Sequence, residues 1–340
     1  MARPPTRAFI CQADGQRSWE HCMAAIFLTE GDVAQLADPR LAIDAVEEAF
    51  RQLAAGNADN VPRRRAQAPG IVLHTMSAAA GYLGYVGWKS YTTTRDGARF
   101  HLALYDQAFG ELKAIVEANR LGQLRTAAAT AVAASWMARH DAHELGLFGT
   151  GFQAQGQLEA LALVRPLKQV FVYGRNAERR RQFADKMTKQ LGVEVVPVDR
   201  PVEAAEELPM VVTATTSKAP VFDGNCLDEG AFVAAVGSNW LNRAEIDATV
   251  IRRADNIVCD SIAACQLEAG DFVDARDRGI FDWRRAVELA DVVAGRAAAR
   301  NRAESITLFK SVGLAIEDVA LAAKIVERAR ARGMGQYLPI

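Results

Sequence analysis

Leu41, Ala45, Val46, Ala49, Phe50 and Leu53 recur at three- and four-residue spacing, which puts them on one face of a helix. Asp38-Pro39 marks its start and Gly56-Asn57 its end, and Thr29 with Asp32 marks the start of a shorter helix before it. From Ile71 the pattern becomes that of strands. "IVLHTM", "YVGWKSY", "RFHLALYD" and "LKAIVEA" alternate or cluster apolar residues, and "DQAFG" joins the last two as a hairpin. The first part of the chain is therefore expected to be a largely antiparallel sheet flanked by helices. "EANRLGQLRT" leads into the alanine-rich, strongly helical "AAATAVAASWMARH", and a domain boundary is expected near residues 120 to 143. Beyond it come six short apolar runs separated by helical or turn segments: "ELGLFG", "QVFVYG", "VEVVPV", "MVVTAT", "AFVAAVG" and "NIVCDS". Near-continuous apolar strands alternating with helices predict a parallel sheet covered on both faces, a doubly wound α/β fold. A last helix, from about Gly313 to Arg332, is expected to pack back on the first domain.

Composition narrows the function classes. The chain has 340 residues, half of them hydrophobic, enough for two domains. Forty basic residues balance forty-one acidic ones, so no overall field points to nucleic acid or an anionic membrane, and small molecules are the expected partners. Cys11, Cys22, Cys226, Cys259 and Cys265 lack paired or zinc-site spacing, which predicts no metal and a reduced cytoplasmic location. Residues 1 to 22 are polar and patternless, and a flexible extension is expected there, with "MAAIFLTEGDVAQL" from Met23 reading as a natural start.

The chemistry begins at "ELGLFGTGFQAQGQLEA". A strand runs into Gly149-x-Gly151-x-x-Ala154 and out into a helix, the setting of a dinucleotide pyrophosphate turn. Gly149 permits the tight turn, Gly151 lets backbone approach the pyrophosphate, and the third place needs only a small residue, which Ala154 provides. At the end of the next strand the acid that usually binds the ribose 2′-hydroxyl is missing; Gly174, Arg175 and Asn176 stand there instead. A guanidinium can hold a 2′-phosphate where a carboxylate would repel it, so NADP(H) is favoured, with NAD(H) as the alternative.

"LRTAAATAVAASWMARHDAHELGLFGTGFQAQGQLEAL", "VVTATTSKAPVF", "AVGSNWLNRAEID" and "ITLFKSVGLAIEDVA" follow one another in an order that resembles the ornithine cyclodeaminase and mu-crystallin family, from about Phe27 to the end. The resemblance implies a substrate-binding and dimerisation domain of residues 23–124 with 313–340, a Rossmann-type domain of 125–312, a homodimer, and a nicotinamide cofactor between the domains. It implies cofactor contacts at Thr126, Gly149, Gly151, Phe152, Gln153, Ala154, Arg175, Asn176, Thr213, Ala214, Thr215, Val236, Gly237 and Ser238. Family activities include ornithine cyclodeamination, alanine dehydrogenation and reduction of cyclic or acyclic imino acids.

Matching the family's motifs places its substrate-carboxylate binders on Arg63 in "VPRRR", Lys89 in "GWKSY" and Arg125 in "GQLRT", with the choice among Arg63, Arg64 and Arg65 open. His74 stands where the cyclodeaminase has a glutamate, and a histidine titrating near neutrality suits proton transfer at a substrate nitrogen. Asn239 stands where cyclodeaminases carry an aspartate. An amide is neither acid nor base at neutral pH, so ornithine cyclodeamination is disfavoured. The expectation is an NAD(P)H-dependent reductase of an imino acid, or amino-acid dehydrogenase. If Arg64 or Arg65 adds surplus charge to the pocket, a dicarboxylic imine such as iminosuccinate is the substrate expected to be reduced fastest, with pyrroline-carboxylate and iminopropionate as the other candidates. The alternatives are ornithine cyclodeaminase and a mu-crystallin-like NADP(H)-binding protein.

Overall fold

In a computed structural model, residues 24–339 are described; the extension expected over 1–22 lies outside them. Fifteen strands and ten helices appear among the described residues, in two sheets. The first sheet contains β1 (Ile26–Leu28), β2 (Ala58–Ala68), β3 (Ile71–Ala80), β4 (Tyr85–Thr94), β5 (Gly97–Asp106), β6 (Leu112–Glu117) and β15 (Gln336–Tyr337), in the order β15-β1-β6-β5-β4-β3-β2. Only the β1–β6 pairing is parallel in it. Helices α1 (Glu30–Leu36) and α2 (Pro39–Ala54) begin where expected. Thr29 and Asp32 form a reciprocal capping box, and the Asp38 carboxylate accepts from the Leu41 amide.

The sequence pattern does not predict strand β2. It lies at the sheet edge, carries Pro62 and has Arg63 as its only fully buried side chain, so no apolar alternation announces it. A register irregularity between Val61 and Arg64 accompanies the proline.

Helix α3 (Asn119–Met137) joins the two sheets, with the Glu30 carboxylate accepting from the Asn119 and Arg120 amides at its N-terminus. The second sheet is parallel throughout. It contains β7 (Glu144–Phe148), β8 (Gln169–Tyr173), β9 (Glu194–Pro197), β10 (Met210–Thr213), β11 (Phe232–Ala235), β12 (Asn256–Cys259), β13 (Ala286–Glu288) and β14 (Thr307–Lys310), in the order β13-β12-β14-β11-β10-β7-β8-β9. Helices α4 (Phe152–Val164), α5 (Ala177–Leu191), α6 (Ala248–Arg253), α7 (Ile262–Glu268), α8 (Val273–Asp277) and α9 (Leu289–Val293) belong to this half, a doubly wound arrangement. Strands β13 and β14 are likewise unannounced by the pattern, although β14 lies inside the sheet between β12 and β11. The last helix, α10 (Ala315–Arg332), packs on β2 to β5 and on α2 and α3, as expected. No described helix is long and apolar enough to cross a membrane, and no metal-binding cluster occurs among the described residues.

Candidate active site

The strand order reverses direction between β7 and β10, and the groove at their C-terminal ends is where a doubly wound sheet binds ligands. Gly149 sits there at φ 119°, and a Cβ on it would collide with the Ala214 carbonyl oxygen, so both backbone conformation and space demand glycine. Gly151 caps α4 without a side-chain hydrogen bond, and a Cβ on it would meet nothing within 4 Å because it would project into the groove. Free helix N–H groups beside open space fit a dinucleotide pyrophosphate. The Gln123 side chain donates to the Phe152 carbonyl, tying the turn to α3.

The cavity over this turn has a volume of about 600 Å³ and includes Gly149, Gly151, Arg175, Asn176, Ala214 and Thr215 in its lining. Arg179 joins Arg175 in that lining, which contains no carboxylate. Asn176 accepts from the Arg179 amide at 2.9 Å as the cap of α5, so its oxygen is already engaged. Ala154 and Thr213 are fully buried and line neither this cavity nor the adjoining one; Ala154 is the small residue that the turn requires at its third place.

A buried network that sequence reasoning missed supports the groove. Glu245 accepts from the Thr215 amide at 2.6 Å, its hydroxyl at 2.7 Å and the Gly237 amide at 2.6 Å, binding two groove loops to one carboxylate. Lys310 pairs with Asp271 at 2.7 Å and donates to the Ser238 carbonyl at 2.9 Å. Burial alone would lower the Lys310 ammonium's pKa, but Asp271 and Glu245 outweigh it and raise it. The acid in "NRAEID" was the available signal for Glu245.

The adjoining cavity, about 490 Å³, shares Gly151, Ala214 and Thr215 with the first and is also lined by Thr126, Phe152, Gln153, Val236, Gly237 and Ser238. The motif-matched cations Arg63, Lys89 and Arg125 line it together. Each is buried and already paired: Arg63 with Glu268, Lys89 with Asp318 at 2.7 Å, Arg125 with Glu317 at 2.7 Å and Asp318 at 3.1 Å. Burial lowers the Lys89 pKa to about 8 despite the opposing pull of Asp318. Burial likewise raises Glu317 to about 7 against the pull of Arg125, with Asp260 and Asp318 adding to the rise.

The open choice among the arginines has a definite outcome. Arg63 is buried, Arg64 is exposed, and Arg65 reaches Glu268 at 2.6 Å, the Asn239 carbonyl at 2.8 Å and the face of Trp240 at 4.3 Å. The surplus charge expected of this run is taken up by Glu268, whose carboxylate pairs with both Arg63 and Arg65.

His74 also departs from expectation. Its Nδ1 accepts from Arg65 Nε at 3.2 Å, which leaves the proton on Nε2, 3.1 Å from the Thr93 hydroxyl oxygen. Burial, then Arg65 and Arg63, lower its pKa to about 4, so it is neutral at pH 7 and is not the near-neutral acid expected. Its ring stacks on Tyr91 at 4.1 Å and meets the edge of Trp240 at 5.8 Å, giving the cavity an uncharged aromatic wall. Asn239 lines the same cavity, half-buried.

Residues 23–333 match the profile of the Ornithine cyclodeaminase/mu-crystallin family. The chain belongs to this family. Among family members it is similar to the Delta(1)-pyrroline-2-carboxylate reductase of Bacillus cereus, 36% identical over 236 residues, which cover 69% of this chain and 72% of that one. The solved structure of the Thermococcus litoralis Delta(1)-pyrroline-2-carboxylate reductase with NADH and L-proline superposes with a TM-score of 0.88 at 30% identity, covering 92% of this chain and all of that one (100%). The iminosuccinate reductase of Paracoccus denitrificans with NAD+ gives a TM-score of 0.87 at 26% identity, covering 93% and 100% of the two chains. These family members are oxidoreductases of imino acids, and those two structures hold NADH or NAD+.

Proposed function

We propose that the chain is an NADP(H)-dependent reductase of an imino acid whose C=N carbon lies α to one carboxylate, with Δ1-pyrroline-2-carboxylate as the representative substrate. The observation that carries this reading is the meeting of Arg63, Lys89 and Arg125 in a cavity continuous with the dinucleotide groove. The three cations hold the substrate carboxylate and so fix the adjacent carbon toward Thr126, Val236 and Ser238. Gly149, Gly151 and Thr215 would hold a nicotinamide dinucleotide across the groove, where the chemistry it would supply is hydride donation to a C=N carbon. The uncharged wall of His74, Tyr91 and Trp240 takes the flat ring of a cyclic imine. His74 orients through Nε2–H and releases no proton near neutrality, so the iminium proton comes from solution and the Asn239 amide holds the nitrogen by hydrogen bonding.

Glu268 already engages both Arg63 and Arg65, which leaves the clamp to one substrate carboxylate, and this is why iminosuccinate gives way here to a monocarboxylic imine. Arg175 and Arg179 beside an acid-free groove support the preference for the 2′-phosphate. The domains run over 23–124 with 313–340 and over 125–312. Val61, Ile71, Leu73 and Val86 are exposed apolar residues on one face of β2, β3 and β4, the face that a second copy covers in a homodimer. A screen of imines and 2-oxo acids with ammonia, followed at the nicotinamide absorbance, tests the reading. Reduction of Δ1-pyrroline-2-carboxylate supports it, and no reduction of any imine returns the chain to a binding role.

A further inference from the structure

Glu268 does not belong to the substrate domain's own machinery. It ends α7, in the parallel-sheet half, and inserts its carboxylate between two arginines of β2 in the other half. The carboxylate is 1% exposed, one oxygen on Arg63 and the other on Arg65. Arg63 is further spent on the Val312 and Gly313 carbonyls. Arg65 is different: its side chain is 16% exposed and, although it lines neither cavity itself, it contacts His74, Asn239 and Trp240, which line the substrate cavity.

We infer that Glu268 sets the preference for imines with one carboxylate by occupying, from inside the protein, the position on Arg65 that a second substrate carboxylate would otherwise take. The inference rests on the imine-reductase reading. The physical reason is charge balance. A buried arginine requires an anion, and an internal carboxylate held by the fold competes with any substrate carboxylate while repelling it. The two guanidinium groups are separated by no more than one carboxylate and its hydrogen bonds, a spacing that a four-carbon dicarboxylate also spans. Glu268 touches neither cavity directly, so it acts through Arg65 and is a specificity-determining residue, not a catalytic one.

The test compares kcat/KM for oxaloacetate with ammonia, which supply the dicarboxylic imine, against kcat/KM for Δ1-pyrroline-2-carboxylate. Glu268→Gln keeps the shape and removes the charge. It is expected to raise the ratio by at least about tenfold, and to make succinate a stronger competitive inhibitor while leaving propionate little changed. Adding Arg65→Met to Glu268→Gln is expected to abolish that gain. A ratio that stays within about twofold in Glu268→Gln, with NADPH binding intact, overturns the inference while leaving the reductase reading in place. A gain that persists without Arg65 also overturns it, because the freed charge is then elsewhere. Wild-type protein that reduces no imine removes the reading itself. Should Glu268→Gln fail to fold, Glu268→Asp retains the charge but withdraws it from one arginine; a smaller shift in the same direction supports the inference and no shift overturns it.

Discussion

Replacing Lys89 by methionine removes the most sharply defined charge in the substrate cavity while keeping an unbranched chain of similar length in its place. Lys89 is 2% exposed and its Nζ lies 2.7 Å from one Asp318 oxygen. Arg125 Nε reaches that same oxygen at 3.1 Å, so the substitution leaves Asp318 with a partner. The fold therefore loses less than the roughly 3–5 kcal/mol typical of a buried charge left alone. The substrate loses more in relative terms. A charged hydrogen bond to its carboxylate contributes about 1.5–3 kcal/mol, so kcat/KM for Δ1-pyrroline-2-carboxylate falls roughly ten- to a hundredfold. The dinucleotide groove does not include Lys89, so the dissociation constant for NADPH stays within about twofold. Steady-state kinetics, an NADPH fluorescence titration and a thermal melt measure the three quantities. A change in kcat/KM below about threefold, or a parallel loss of NADPH affinity, refutes the assignment of Lys89 to the carboxylate clamp.

Other consequences are as accessible. Arg175→Ala weakens NADPH binding by about tenfold or more and leaves NADH unaffected; equal effects on both would contradict a contact with the 2′-phosphate. Gly151→Val projects its side chain into open groove, so the melting temperature is retained and cofactor binding is lost, whereas intact binding would move the pyrophosphate away from this turn. Lys89 is cationic below a pKa of about 8, lowered by burial, so a competitive inhibitor with a permanently ionised carboxylate, pyrrole-2-carboxylate, binds below that pH and weakens above it. Protonation of Glu317 near its raised pKa of about 7 removes negative charge beside Arg125, so binding is not weakened on the acid side. Lys89→Arg flattens the alkaline limb because a guanidinium stays charged, and an unchanged limb would assign it to another group.

Those parts of the fold that local chemistry determines are legible in the amino-acid sequence alone. The capping box of Thr29 with Asp32, the Asp38-Pro39 start and the Gly149-x-Gly151 turn each rest on residues a few positions apart, and each appears where expected. Strand β2 is hidden because its inward residue is Arg63, whose burial depends on Glu268 two hundred residues later. Strand β14 is hidden because it ends in Lys310, a charge whose burial depends on Asp271 and the Ser238 carbonyl. The same reason accounts for the site. Motif order locates Arg63, Lys89 and Arg125, and the cavity brings them together. Their ion-pair partners and the neutralisation of Arg65 arise from contacts between residues far apart in the chain, and the depressed pKa of His74 arises from burial and from Arg65 and Arg63 across the hairpin, on a strand that the pattern hides.

The central claim is that hydride passes from the nicotinamide to the substrate carbon held by Arg63, Lys89 and Arg125. The most direct measurement is reduction of Δ1-pyrroline-2-carboxylate with NADPH deuterated at the transferred position, with mass and NMR analysis of the proline formed. The account predicts one deuterium at the α-carbon for each NADPH consumed. Proline formed from ornithine with ammonia release and no net loss of NADPH, or proline from the imine without deuterium at that carbon, would contradict it.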